Sequence, residues 1–264
     1  MWGAGVLSGL VTALRTLTVL PVPGRECDTF SRSLFWFPVV GLLLGVMEAS
    51  IGFFSSLTGW NELSAALVLL GGIALSRGMH ADGLADLADG FWGGRTREAI
   101  LRIMKDPNIG SFGAIALFAM MLFKWIALFK LVGLGAFEFI AAGVLLARQV
   151  QVFLASTLPY ARKEGGTAQA FVGGAGALHS GVTSLLTLLF LLPLLHGDLV
   201  ALAVVIAAAL AAALVTGALS WRKIGGVTGD VLGAGSEVTE LFVWIAAALY
   251  VALKAHQLRV GFMM

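Results

Sequence analysis

Seven stretches of about 20 mainly apolar residues, the length a helix needs to cross the hydrocarbon layer of a bilayer, follow one another through this sequence. They lie near 34–57, 62–80, 110–132, 137–158, 178–196, 199–219 and 238–256. Nothing else in the chain restricts its fold as far. In lipid, every backbone N–H and C=O must be paired within the protein, so consecutive spans of this length are helices. With 59% hydrophobic residues, 12% charged residues and a mean hydropathy of +0.94, the chain does not suit a water-soluble domain. The expected fold is all-α: a polytopic helical membrane bundle in contact with lipid. About seven transmembrane helices (six to eight) are expected, as a single integral-membrane domain over 1–264.

The first residues, MWGAGVLSGLVTALRTLTVLPVP, carry Arg15 inside an apolar run and no small-residue cleavage site, so they read poorly as a secretory signal. They predict a short helix lying in the membrane interface, stopped by Pro21 and Pro23. A full span with Arg15 snorkelling is the alternative. The net charge of +2, spread among apolar spans, excludes a nucleic-acid partner. The single cysteine, Cys27, excludes an intramolecular disulfide and a cysteine-built zinc site. A homo-oligomer is compatible with the sequence.

Charge orders the connections. Arg25 and Arg32 precede the first span. Arg95, Arg97, Arg102 and Lys105 lie in 81–109, Arg162 and Lys163 in 159–177, and Arg222 and Lys223 follow the sixth span; the short loops between carry no Lys or Arg. The positive-inside rule therefore places these four basic connections in the cytoplasm, in a cell (inner) membrane. Lys254 and Arg259 in the C-terminal tail fall on the other face. The polar motifs of the basic connections can then converge on one cytoplasmic site.

The most acidic of these connections begins HADGLADLADG, at His80. Asp82, Asp86 and Asp89 stand at i, i+4 and i+7, one face of a helix, with neighbouring Cβ atoms ~5–6 Å apart. Five of the fifteen acids lie between Asp82 and Asp106, a density that solubility does not explain. Like charges at this spacing repel unless a cation sits among them, and oxygen ligands favour Mg²⁺, Mn²⁺ or Ca²⁺. Asp106 could complete the set from a facing helix. The alternative is that the DG pairs mark turns and the acids cap the next helix.

Carboxylates beside Arg and Lys are recurrent apparatus of phosphoryl transfer. Arg95 and Lys105 are read as substrate contacts, and Arg97 and Arg102 as ordinary loop charge. The stretch GGVTGDVLGAGSE after Lys223 contains Gly229 and Asp230 and could cradle a phosphate on backbone N–H groups; a flexible turn is the alternative. Inside spans lie Glu48, Lys124, Lys130 and Arg148. Such groups face a bundle interior or a wet cavity. Pairing of Arg148 with Glu48 or Glu138 is the purely structural reading.

HADGLADLADG with REAILRIMKDPNIGSFGAIAL resembles the signature of the adenosylcobinamide-GDP ribazoletransferase, or cobalamin 5′-phosphate synthase, family. So do TLTVLPVP, FPVVGLLLG at 37–45, YARKEGG at 160–166 and IGGVTGDVLGAGSEVTE at 224–240. The resemblance implies a membrane enzyme, dependent on Mg²⁺, that joins adenosylcobinamide-GDP to α-ribazole or α-ribazole 5′-phosphate. The ribose 3′-hydroxyl would attack the cobinamide-linked phosphorus and GMP would leave. Asp82, Asp86, Asp89 and Asp106 match its acidic motif and would hold metal. Arg148, Asp230, Glu237 and Glu240 match later polar positions, and with Arg95, Lys105, Lys124, Arg162, Lys223 and Gly229 they form the candidate substrate-binding and catalytic set. His80, Asp82 and Asp230 are the candidates for the base. Ser76, Arg77 and Gly78 depart from the family, which usually has TGG there. A CDP-alcohol phosphotransferase shares part of the pattern in Asp86, Asp89, Gly90 and Asp106, but Gly110 stands where its last aspartate should be. A cation-coupled transporter is the reading from another class, and the broken, repeated halves that would favour it are not evident.

Overall fold

The computed structural model describes residues 2–262, with side chains described over 7–257. Its elements are α1 (Trp2–Leu17), a 3₁₀ helix (Phe30–Trp36), α2 (Phe37–Ser56), α3 (Asn61–Leu75), α4 (Met79–Gly93) and α5 (Arg97–Ile103). They continue with α6 (Ser111–Gly133), α7 (Phe137–Thr157), α8 (Gln169–Val172), α9 (Ala177–Leu194), α10 (Leu199–Ile224) and α11 (Gly229–Phe262). There is no strand among the described residues, only one isolated parallel bridge between Tyr160 and Val227. The all-α expectation holds.

Among the described residues six helices are long and apolar enough to span a bilayer, or seven if α3 and α4 count as one span. That pair departs from the expected second span at 62–80. The chain bends by 87° between Leu75 and Met79, and the sequence shows why. Arg77 and Gly78 both take the left-handed region (φ 56° and 67°). The Gly78 N–H donates to Ile73 O and the Arg77 N–H to Ala74 O, the two crossed bonds of a Schellman stop. α3 thus ends early, and α4 lies across one end of the bundle against the start of α6 and the start of α11.

The other expected spans recur with shifted ends. The seventh begins at Gly229, not 238, because most of the glycine-rich stretch is helical. The sixth runs on to Ile224. The two tight hairpins form as expected, at Gly135 (φ 67°) and at His196–Gly197, where Asp198 caps α10 by accepting from Val200 N and Ala201 N.

α7 occupies the centre. Almost every residue from Phe139 to Ala155 is buried, because α2, α9, α10 and α11 surround it. Small residues permit the approach: a Cβ on Gly45 would lie 2.6 Å from Ala141 O, and one on Gly41 3.2 Å from Leu145 Cα. At the N-terminus α1 ends at Leu17, and the chain turns back under it. Arg15 donates to Val22 O and Gly24 O and pairs with Glu26 at 3.2 Å, while the Cys27 N–H donates to Thr12. The short N-terminal helix is therefore present. Proline stops nothing inside it, since Pro21 and Pro23 lie in the returning segment.

The four basic connections meet at one end. Lys223 donates to Phe91 O (2.7 Å), Arg97 to Ile224 O (2.8 Å) and to Ala161 O, and the Ala161 N–H to Val227 O (2.8 Å). Arg97 thus ties three loops together.

Candidate active site

The site is built where α4 crosses the first turns of α11. Gly83 makes the crossing close: a Cβ there would lie 3.0 Å from Asp230 Cα. On the other helix Gly233 packs against the backbone of His80, 3.3 Å from its Cα to an added Cβ. Two glycines from two separate motifs therefore bring the α4 carboxylates beside Asp230. Thr228 ends the loop before α11. It accepts from the Val231 N–H and donates to Asp230 Oδ2 (3.1 Å), while Arg162 Nη2 donates to the same oxygen at 2.9 Å. Arg162 is itself buried and also reaches Leu101 O.

The three aspartates of the helix face have different surroundings. Asp82 is exposed. Asp86 is half-buried, and burial, then Asp230, Asp82 and Asp89 in turn, push its carboxyl up to about 6 against a weaker opposing pull from Arg162. Asp89 is buried and caps α6, accepting from the Gly110 N–H (2.7 Å) and the Gly113 N–H (2.8 Å). Both glycines lie so close that a Cβ on either would collide with the carboxylate. Asp106 is fully exposed and accepts from the backbone and side-chain N–H groups of Asn108, which hold its carboxyl below the usual range. The structure therefore gathers Asp82, Asp86 and Asp230, with Asp89 committed to a helix start and Asp106 to a local turn. Among the described residues no three His, Cys, Asp or Glu side chains form a ready metal cage.

Two recesses flank this crossing. One, of about 390 Å³, is basic: Arg97, Arg102, Lys105, Arg162 and Lys163 line it beside Glu98 and Glu164. Lys105 and Arg162, candidate substrate contacts from the sequence, share this wall with Arg102, whose sequence context gives only loop charge. Arg95 is exposed, outside both recesses. The other recess, of about 250 Å³, runs between α1, the 3₁₀ helix, α8 and α11 and reaches Asp82, Gly229 and Asp230.

Lys124, Arg148, Glu237 and Glu240 meet elsewhere, inside the bundle. Lys124 Nζ donates to Glu237 (2.7 Å) and Glu240 (2.6 Å), and Arg148 donates to Glu240 (3.2 Å) and Ser236. All four are buried and, with Glu48 and His80, surround a void of about 20 Å³. Arg148 pairs with Glu240, about three turns into α11, and with neither Glu48 nor Glu138. His80 borders both this void and the larger recess, and its Nε2 has no hydrogen-bond partner.

Residues 9–248 match the model of a family described as cobalamin-5-phosphate synthase. The chain belongs to the cobalamin-5-phosphate synthase family. Every polar group of the crossing, both recesses and the buried cluster falls within the matched residues. A relative in Pelodictyon phaeoclathratiforme, named adenosylcobinamide-GDP ribazoletransferase, is 78% identical over 254 residues, 95% of this chain and 100% of the relative. Proteins of the same name in Chlorobium chlorochromatii (61%, covering 92% of this chain and 97% of the relative) and Escherichia coli (35%, covering 88% and 96%) are also similar. No solved structure matches the chain. The chain is thus an integral-membrane enzyme of the cobalamin-5-phosphate synthase family, built on apolar helices.

Proposed function

We propose that the chain joins adenosylcobinamide-GDP to α-ribazole, or its 5′-phosphate, by in-line phosphoryl transfer, releasing GMP at the cytoplasmic face of the inner membrane. The observation that carries this reading is the crossing of α4 and α11, which holds Asp82, Asp86 and Asp230 between a basic recess and a largely apolar one. Basic groups suit the pyrophosphate of the donor: Arg102 and Lys105 share this recess with Arg162, which pairs with Asp230 at 2.9 Å.

Mg²⁺ fits this donor set. It keeps several waters and needs only one or two carboxylates with substrate phosphate oxygens, so a preformed cage is not required. Asp82, Asp86 and Asp230 would hold it; burial first, and then the charges of Asp230, Asp82 and Asp89, raise the Asp86 carboxyl, and a cation among them would relieve that repulsion. The bound ion would supply neutralisation of charge on the phosphoryl oxygens. Arg162 orients Asp230 through its 2.9 Å ion pair.

The experiment is a product assay with purified protein in nanodiscs, with no ion gradient. GMP released from adenosylcobinamide-GDP on adding α-ribazole and Mg²⁺ supports the reading. Release of CMP from a CDP-activated lipid, with no GMP, would replace it by the lipid phosphotransferase.

A further inference from the structure

We propose that the recess of about 250 Å³ beside Asp82 and Asp230 is the acceptor subsite, receiving the flat, apolar heteroaromatic base of a nucleoside with its sugar hydroxyls at the carboxylate edge. The inference rests on the reaction proposed above and adds which substrate enters where.

Its walls carry the first argument. Leu17, Leu34, Phe37 and Phe171 are each shielded from bulk solvent and yet border open space. The Phe171 ring is fixed by Phe30, edge-on with centroids 5.4 Å apart, and by Phe37 at 6.2 Å. A rigid aromatic edge beside leucines is a surface for a planar apolar ring.

The recess also holds unsatisfied polar groups. Gln151 is 4% exposed and lines this recess; its Nε2 donates to Leu232 O, and its Oε1 has no partner. The His80 Nε2 is likewise unpaired. Buried polar atoms without partners are rare and call for an explanation, and a nucleoside supplies one, since its base and sugar carry donors and acceptors. An acyl chain does not: it would fill the walls and leave Gln151 unpaired.

Size and polarity exclude the other partner in the reaction. Ligand clefts for drug-sized molecules occupy roughly 300–1,000 Å³. A recess of about 250 Å³ admits a bicyclic base with its sugar and not a corrin macrocycle. Guanine would bring its several polar edge groups against the walls of Leu17, Leu34, Phe37 and Phe171, where the uncharged polar side chains are Thr16, Gln151, Thr167 and His80. The phosphate-bearing end of the donor has the basic recess on the other side of Arg162.

The test uses the full-length protein in detergent, with α-ribazole as the probe. Ala168→Phe fills the recess from the turn before α8. The expected result is a Kd for α-ribazole by calorimetry, and a KM for it in the GMP assay, each at least tenfold higher. The KM for adenosylcobinamide-GDP should stay within twofold. An unchanged Kd for α-ribazole, or a raised KM for adenosylcobinamide-GDP alone, overturns the assignment. Photolabelling of the unmodified protein by an azido-substituted benzimidazole riboside guards against a misfolded variant. Label on residues 167–171 supports the assignment; label confined to the basic recess around Lys105 and Lys163 overturns it. Absence of GMP release by the wild-type protein, with calorimetric binding of α-ribazole intact, would instead remove the proposed reaction while leaving the subsite.

Discussion

Replacing Lys124 by methionine separates a structural from a substrate-binding role for the buried ionic cluster. Among the described residues Lys124 is the one side chain ion-paired with Glu237 (2.7 Å); Glu240, its other partner, keeps Arg148 at 3.2 Å. Methionine has similar bulk, so the change removes a charge and little packing. It leaves Glu237 buried with no ion-pair partner, a loss that costs about 3–5 kcal/mol. Loss of the ammonium from the face of Trp244, 5.2 Å from the ring centroid, adds to it. The folded-to-unfolded ratio should therefore fall roughly 10²- to 10⁴-fold. Unfolding in mixed micelles, followed by tryptophan fluorescence, reads the change, and Trp244 sits beside the perturbation. Lys124→Met/Glu237→Gln removes the stranded charge while Arg148–Glu240 remains, so most of the loss should return, as a double-mutant cycle will show. If Lys124→Met alone kept wild-type stability and instead raised the KM for the nucleotide substrate, the cluster would be a substrate site and the reasoning would fail.

Three further outcomes follow from individual contacts. If Asp86 holds Mg²⁺ as proposed, protons compete with the ion for the same carboxylate; with that carboxyl raised to about 6, the charged form dominates above that pH, so the apparent Mg²⁺ affinity should fall about tenfold per unit below it. A flat affinity between pH 5 and pH 7 by the definition of that competition would exclude Asp86 as a ligand. Gly45→Ala places a methyl 2.6 Å from Ala141 O, where only backbone movement can make room, and should cost about 1–3 kcal/mol in micellar unfolding. Gly181→Ala, with nothing within 4 Å, serves as its neutral control. Arg77→Gly should be at least as stable as wild type, since Arg77 holds a left-handed φ of 56° and its side chain donates only to the exposed Arg15 O. Arg77→Val should lose about 1–2 kcal/mol, and the reverse order would show that the turn is not set by backbone strain.

Much of this was legible because the relevant signals are local. Apolar runs gave the spans, the i, i+4, i+7 spacing put three aspartates on a helix, and alternating loop charge brought the polar motifs to one end. What escaped depends on long-range neighbours. The spacing of Asp89 with Asp82 and Asp86 suggested shared duty, yet Gly110 and Gly113 take its carboxylate to cap α6. Capping is one of the two readings the acids allow, but no local pattern names Gly110 and Gly113 as the partners. The glycines between Gly225 and Gly235 read as a phosphate cradle, whereas Gly233 and Gly235 are helical and serve close packing against His80 and Leu154. The early stop of α3 was signalled by Ser76–Arg77–Gly78, but an arginine at a left-handed position hid it. The walls of the apolar recess come from α1, the 3₁₀ helix, α2, α8 and α11, and only the fold assembles them.

The central claim is that phosphoryl transfer takes place at the crossing of α4 with α11. The most direct measurement is kcat/KM for GMP release by Asp86→Asn, in nanodiscs at limiting Mg²⁺, with stability checked against wild type. Asparagine keeps the shape of Asp86 and removes its charge, so we expect a fall of at least about 100-fold. Wild-type kcat/KM in that variant would contradict the account and move the chemistry away from this crossing.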